Sequence, residues 1–232
     1  MTLQQLIDSF RTDADDQARS LGGGQGDVLW PDVELVRWFN EAEEEAAIRG
    51  RLLFDDTLTI SVVKDMSSYP FTALFEITRA TLFRVLDPIG PVYARCGERL
   101  LPVDRVEMDR IDPDWRTDKR DPTRFIQEDT RIFLPCIVDR DYLVRLEGYR
   151  LPKTPFIEED LEASPEIAPV HHRFLVHWVL HRAYQKPDTE TLNPQKSAIA
   201  LAAFERYFGL RPDSDLRKDQ QANRPHRNQA IW

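Results

Sequence analysis

Cysteine is almost absent from this chain: Cys96 and Cys136 are the only two in 232 residues. They form no CxxC pair, which argues against a disulfide scaffold or a zinc knuckle, and both read as reduced, buried thiols. Long apolar runs are missing as well. No segment approaches the ~20 apolar residues of a membrane-spanning helix, and "MTLQQLIDSF" has no basic stretch followed by an apolar one. The expectation is a soluble protein made in a cytoplasm. Positive charge is outnumbered, 31 Lys and Arg against 40 Asp and Glu, and the resulting formal net charge of -9 argues against gripping nucleic acid through phosphate neutralisation. Catalytic signatures are lacking too: there is no G-x-S-x-G elbow, no H-x-E with a later P-C-x-x-C, and no dinucleotide fingerprint. The glycine cluster "LGGGQGD" lacks the GxxxxGK[ST] order and follows no strand, so it reads as a turn. No enzyme is indicated.

What is present is uneven charge and strong periodicity. Residues 1–56 hold thirteen Asp or Glu against five Arg, whereas residues 211–232 hold five Arg or Lys against three Asp. An acidic front and a mildly basic tail suit complementary protein partners. Leu3, Leu6, Ile7, Phe10 and Ala14 recur at three and four, which predicts a first helix with Thr2 as N-cap. A second helix begins at "LWPDVELVRWFNEAEEEAAIRGR", with Pro31 suited to its first position and Asp32 and Glu34 at the positive end of its dipole. Leu35, Val36, Phe39, Ala42 and Ala46 form its apolar side; Glu41, Glu44, Glu45 and Arg49 form the other. The four glutamates of "EAEEEA" need no catalytic explanation on an amphipathic helix, since acid–base chemistry requires two carboxylates on opposite sides of a substrate.

After Gly50 the period changes to two, with Leu58, Ile60 and Val62, then Ile132 and Leu134, then Tyr142, Val144 and Leu146. Asp104 begins a short helical turn ended before Pro113, and Asp139 to Asp141 fall in a turn. No crossover helix separates them, so these read as half-buried antiparallel strands and not as a parallel sheet. Helices return at "PVHHRFLVHWVLHRAYQ" and "NPQKSAIALAAFERYFG", the last ended by Gly209 and Pro212. The fold class expected is α+β: a mainly helical body with a small antiparallel β-rich insertion and an extended C-terminal arm. The division expected is 1–56 and 153–209 for the body, 57–152 for the β-rich region and 210–232 for the arm. Trp30, Trp38, Trp115 and Trp178 are read as core and interface packing.

Four histidines, His171, His172, His177 and His181, fall within eleven residues. His177 and His181 are four apart, share a helix side with Phe174 and Trp178 opposite Leu175, Val176, Val179, Leu180 and Ala183, and would let two imidazoles reach one zinc ion. Two ligands do not complete a site. Zinc wants a third protein ligand and a hydrolytic zinc a base, yet no acidic residue lies between the histidines. No metal, cofactor or catalytic residue is assigned, and a zinc-dependent hydrolase using His177 and His181 stands as the weaker alternative.

Taken in order, "LIDSFRTDADD", "LWPDVELVRWFNEAEEEAAIRGRLL", "DYLVRLEGYRLP" and "HHRFLVHWVLHRAYQKPDTETLNPQKSAIALAAFERYFG" resemble the head-to-tail adaptor, or connector, proteins of tailed bacteriophages. The resemblance implies a homo-oligomeric ring, typically a dodecamer, beneath the portal protein at one capsid vertex. It implies a mechanical role: extending the DNA channel, sealing the filled head and offering a platform to a tail or nozzle protein, with DNA passing through the lumen unbound and no membrane involved. The residues of the arm would insert at the portal, Arg211, Arg217, Lys218, Arg224 and Arg227 meeting acidic surfaces and Ile231 and Trp232 filling an apolar pocket. A closed ring needs two different lateral surfaces. The helix face of Glu34, Glu41, Glu44, Glu45 and Arg49 is the candidate for a lateral contact or for the channel wall, where net acidity would repel phosphate. The β-rich region contacts the tail or a neighbour, or keeps a private core. Another tail-completion or assembly protein of a phage is the nearer alternative.

Overall fold

The computed structural model describes residues 1–16, 28–84, 97–188 and 191–212. In chain order its elements are α1 (Leu3–Ala14), α2 (Asp32–Gly50), β1 (Phe54–Val62), β2 (Ser68–Pro70), β3 (Glu76–Arg84), β4 (Glu98–Pro102), α3 (Arg105–Ile111), β5 (Lys119–Arg120), β6 (Arg124–Gln127), β7 (Arg131–Phe133), β8 (Ile137–Val138), β9 (Tyr142–Tyr149), a 3-10 turn (Pro169–Phe174), α4 (Leu175–Gln185) and α5 (Pro194–Phe208). They fall into two units, one of Met1–Leu53 with Leu151–Arg211 and one built on Phe54–Arg150.

The first unit is helical. Thr2 and Gln5 form a reciprocal capping box that satisfies two free donors at the start of α1. One turn in, the stripe Leu3, Leu6, Ile7 and Phe10 is buried as its spacing predicts. Pro31 sits at the N-cap of α2, one residue before the first helical position. α4 is the centre of the unit, packed by α5, α2 and α1. It buries Leu175, Val176, Val179 and Ala183, but also His181, because α5 covers the side that the sequence pattern leaves open. α5 supplies Ala200, Phe204 and Phe208 to that contact, and Asn193 caps it by accepting from Lys196 N at 3.0 Å.

The second unit is a curled, seven-stranded sheet in the order β1-β9-β3-β4-β6-β7-β2, with β5 and β8 forming a separate ladder. Helix accounts for 38% and strand for 24%, which corrects the expectation of a mainly helical body with a small insertion. The sheet is also mixed, since β4 and β6 run parallel, as do β5 and β8. Parallel neighbours require a long crossover, and the one between β4 and β6 carries α3, the helical turn begun by Asp104. α3 buries Met108 beside Val103, Trp115 and Ile126. The period-two reading of β9 holds: Tyr142, Val144 and Leu146 are buried while their neighbours are half-buried. Ile132 and Leu134 join them in a core with Val62, Leu82, Leu100 and Phe125.

Gly148 lies in β9 between β1 and β3, opposite Asp55 and Ile77, where both ladders change register. A Cβ there would lie 3.0 Å from the Glu76 carbonyl carbon and from Ile77 Cα, and closer still to the Glu76 carbonyl oxygen. These are backbone atoms of a paired strand and have little room to retreat. Gly148→Ala is therefore expected to destabilise the sheet unit by about 1–3 kcal/mol, read as a lower urea midpoint by near-ultraviolet circular dichroism. An unchanged midpoint would show that the strands separate freely.

Candidate functional site

The residues that the sequence singles out on α2 converge on α4 and α5. Glu34, Glu41, Glu45 and Arg49 follow one another at seven, four and four residues along one flank of α2, and side chains so spaced line up on one face. Glu34 takes both carboxylate oxygens to Lys186 Nζ at 2.9 Å. Glu41 Oε2 lies 2.9 Å from Arg182 Nε, an ion pair without the alignment of a hydrogen bond. Glu44 is on the solvent side and exposed. The acidic face is thus largely neutralised within the protomer, leaving Glu44 as its exposed carboxylate.

Glu45 and Arg49 form the most enclosed part of this face. The i, i+4 pair closes at 3.0 Å between Arg49 Nε and Glu45 Oε2, with side chains only 5% and 11% exposed. The Arg49 guanidinium also lies 5.3 Å from the ring centres of Trp178 and of Phe204. It donates to Glu205 Oε1 and to the carbonyl of Gly209, each at 3.4 Å. One arginine therefore ties α2 to α4, to α5 and to the residue that ends α5. Arg211 follows two residues later and places its NH1 3.2 Å from Glu45 Oε1. Two residue sets that the sequence treats separately, the α2 face and the start of the arm, meet at this carboxylate. The other arm residues, Arg217, Lys218, Arg224, Arg227, Ile231 and Trp232, lie outside the described residues, as does Cys96.

The histidines do not converge. His172 is buried; its Nε2 donates to the Ile167 carbonyl at 2.8 Å and its Nδ1 accepts from the Met1 ammonium at 2.8 Å. His181 is buried against α5, with Nδ1 at 2.9 Å from Ser197 Oγ and 3.1 Å from the Ser197 carbonyl. His177 instead lines a cleft of about 510 Å³ beside α1, with Asp8, Asp13 and Arg173, and His171 Nδ1 pairs with Tyr207 Oη at 3.1 Å. Each ring is turned to a different neighbour, His172 and His181 packed inside the helical unit and His177 at the cleft. Among the described residues no group of three His, Cys, Asp or Glu could hold a metal ion. Cys136 is a buried free thiol, and burial pushes it up to about 11, far from a thiolate nucleophile.

Burial holds the imidazoles of His172, His177 and His181 below the usual histidine range. For His181 the Ser197 carbonyl and Glu205 oppose the shift, while Arg182 and Arg49 add to it. The unfolded chain takes up these protons first on acidification, so stability falls as pH drops below the unfolded value of about 6.5. The urea midpoint of the helical unit is expected to be lower at pH 5.5 than at pH 7.5, still above the carboxylate range. His181→Asn should reduce that dependence and leave the part due to His172 and His177, and a wild-type midpoint independent of pH would contradict the assignment.

Several contributors escaped the sequence reading. Lys186, Arg182 and Glu205 are distant partners of α2, and only their type, not their pairing, is visible in sequence. A second feature is the segment "IEEDLE", residues 157–162, whose side chains are all exposed. Asn40 fastens its start, accepting from Phe156 N at 2.7 Å and donating to the Phe156 carbonyl at 3.0 Å. Gln4 N donates to the Leu161 carbonyl at 3.0 Å, and Glu43 accepts from the backbone of Glu166 and Ile167. The signal available was two isolated large apolar residues within an acidic run.

No helix among the described residues is long and apolar enough to cross a membrane. Among the described residues the arrangement of the helical unit offers charged and aromatic joints between helices. No curated protein matches the chain. The family model described as SU10 adaptor protein matches residues 1–229. This chain belongs to that family, whose members are structural adaptors of phage virions and not enzymes.

Proposed function

We propose that the chain forms a ring, a dodecamer, that joins the capsid portal to the tail and extends the DNA channel. Its partners are further copies of itself, the portal protein and a tail or nozzle protein, and DNA passes through the lumen without specific binding. The observation that carries this reading is the adaptor family match across residues 1–229. The net charge of -9 supports a lumen that repels phosphate. Residues 1–56 and 153–209 act as the body, with the α2 face of Glu34, Glu41, Glu44, Glu45 and Arg49 at a lateral contact or the channel wall. Residues 57–152 meet the tail or a neighbouring subunit.

The portal site is the arm of residues 210–232, through Arg211, Arg217, Lys218, Arg224, Arg227, Ile231 and Trp232. Its root supports that role, because Arg49 holds the Gly209 carbonyl and Glu45 holds Arg211, so the arm starts from a fixed point on the body. Fully extended, the 22 residues after Leu210 reach about 70 Å. An asymmetric cryo-electron microscopy map of the phage particle tests the reading. A ring between portal and tail with Trp232 buried against the portal is the expected result; density for this chain elsewhere in the particle would overturn it. Deleting residues 211–232 should abolish portal attachment and leave the body folded.

A further inference from the structure

We propose that the acidic loop 157–162 of one copy docks into the cleft between α2 and α4 of a second copy, which names the lateral contact of the ring and rests on that reading. The loop exposes Ile157 at 53% and Leu161 at 36%. Glu158, Glu159, Asp160 and Glu162, also exposed, make no ion pair among the described residues. Its backbone is fastened at Phe156, Leu161 and beyond, so these side chains are presented by a held loop and little ordering entropy remains to be lost on docking.

The cleft has the complementary chemistry. It has a volume of about 270 Å³ and is lined by Trp38 and Pro187, with Arg37 and Arg182 at its edge and Lys186 and Glu34 neutralising each other beside them. Arg37 is exposed and has no ion-pair partner among the described residues. Arg182 Nε lies against Glu41 without an aligned hydrogen bond. An aliphatic side chain from the loop fills the floor of Trp38 and Pro187 while the neighbouring carboxylates meet Arg37 and Arg182. Apolar anchors ringed by complementary charge are the usual anatomy of a specific contact.

The two surfaces use different flanks of α2, with Arg37 between them. Glu34 and Trp38 at the cleft lie on one flank of α2, whereas Asn40 and Glu43, which hold the loop, lie on another, at helical positions well over a quarter-turn away. A neighbour approaching one flank meets a cleft, and a neighbour approaching the other meets a loop. That is the heterologous geometry a closed ring requires.

Sedimentation velocity of the purified full chain at low salt, with charge reversals at exposed positions, tests the contact. Wild type is expected to self-associate. Arg37→Glu, and separately Glu158→Lys with Glu159→Lys, should weaken association at least tenfold, and the triple variant should recover it by restoring opposite charges. Circular dichroism of each variant should match wild type, because none of the three side chains is buried. If wild type assembles and both reversals assemble equally well, the contact is wrong and the ring reading stands. A wild-type chain that stays monomeric up to millimolar concentration overturns self-association of the free chain, and this contact with it.

Discussion

Replacing Arg49 with alanine will cost the helical unit about 3 kcal/mol, the loss expected when one member of an enclosed ion pair is removed and its partner is left behind. Glu45 keeps Arg211 at 3.2 Å, which holds the cost toward the lower end of that range. Glu205, 32% exposed, can return to water. The larger loss is packing: the guanidinium covers the Trp178 and Phe204 rings, which already touch each other at 5.2 Å between centres, and its departure uncovers that pair and removes the contact of α2 with both α4 and α5. Arg49→Lys keeps the charge but cannot hold Glu45, Glu205 and the Gly209 carbonyl with one planar fork, so about half the loss should remain. Urea unfolding followed by far-ultraviolet circular dichroism reads the effect. A shift under about 0.5 kcal/mol, the level of an ordinary surface pair, would show that Arg49 is not structural.

Arg211→Ala provides the contrast. Its side chain is 57% exposed, so its loss should leave stability nearly unchanged. A variant that weakens portal attachment without changing the unfolding curve would separate the role of the arm from the integrity of the body.

The helical unit was readable in sequence where a local rule decides. Leu3, Leu6, Ile7 and Phe10 are buried because a 3.6-residue period allows one inward face. Glu45 and Arg49 pair because they are four apart. What depends on distant neighbours was hidden. α4 reads as two-sided, but α5 buries His181 and half-buries Trp178 by bringing Phe204 and Ser197 over them. The period-two pattern in turn found β9, yet alternation marks a strand without saying which strand lies beside it. The parallel pairing of β4 with β6 was missed because the helix begun by Asp104 was read as a local turn, not as the crossover that parallel neighbours need. Short strands were missed for another reason: β2 in the sheet and β5 and β8 in the separate ladder have two or three residues each, too short for any periodicity to register. The loop of residues 157–162 has no regular element at all, and its fastening by Asn40 and Glu43 comes from a helix more than a hundred residues earlier.

Trp30→Ala is expected to destabilise the same unit by about 3–5 kcal/mol, the range for removing a large buried aromatic. Trp30 is 1% exposed and stands between Phe10 and Tyr184, in edge-on contact at 5.5 and 5.8 Å between ring centres. Those rings belong to α1 and α4, so the cavity left by alanine would open at their junction, just ahead of α2. Arg11 holds the same corner from outside, reaching the Trp30 carbonyl at 3.1 Å and Asp32 at 2.5 Å, which limits how far the backbone can collapse into the void. Trp30→Phe separates volume from hydrogen bonding. The indole N–H donates to the Ala183 carbonyl at 3.3 Å, but that carbonyl also accepts from Lys186 N at 3.3 Å and keeps a partner when the indole goes. Phenylalanine should therefore recover most of the loss, leaving about 1–2 kcal/mol for the missing ring. If phenylalanine costs as much as alanine, the hydrogen bond and not the packed volume governs this joint, and the account of the α1–α4 core would have to be rebuilt around it.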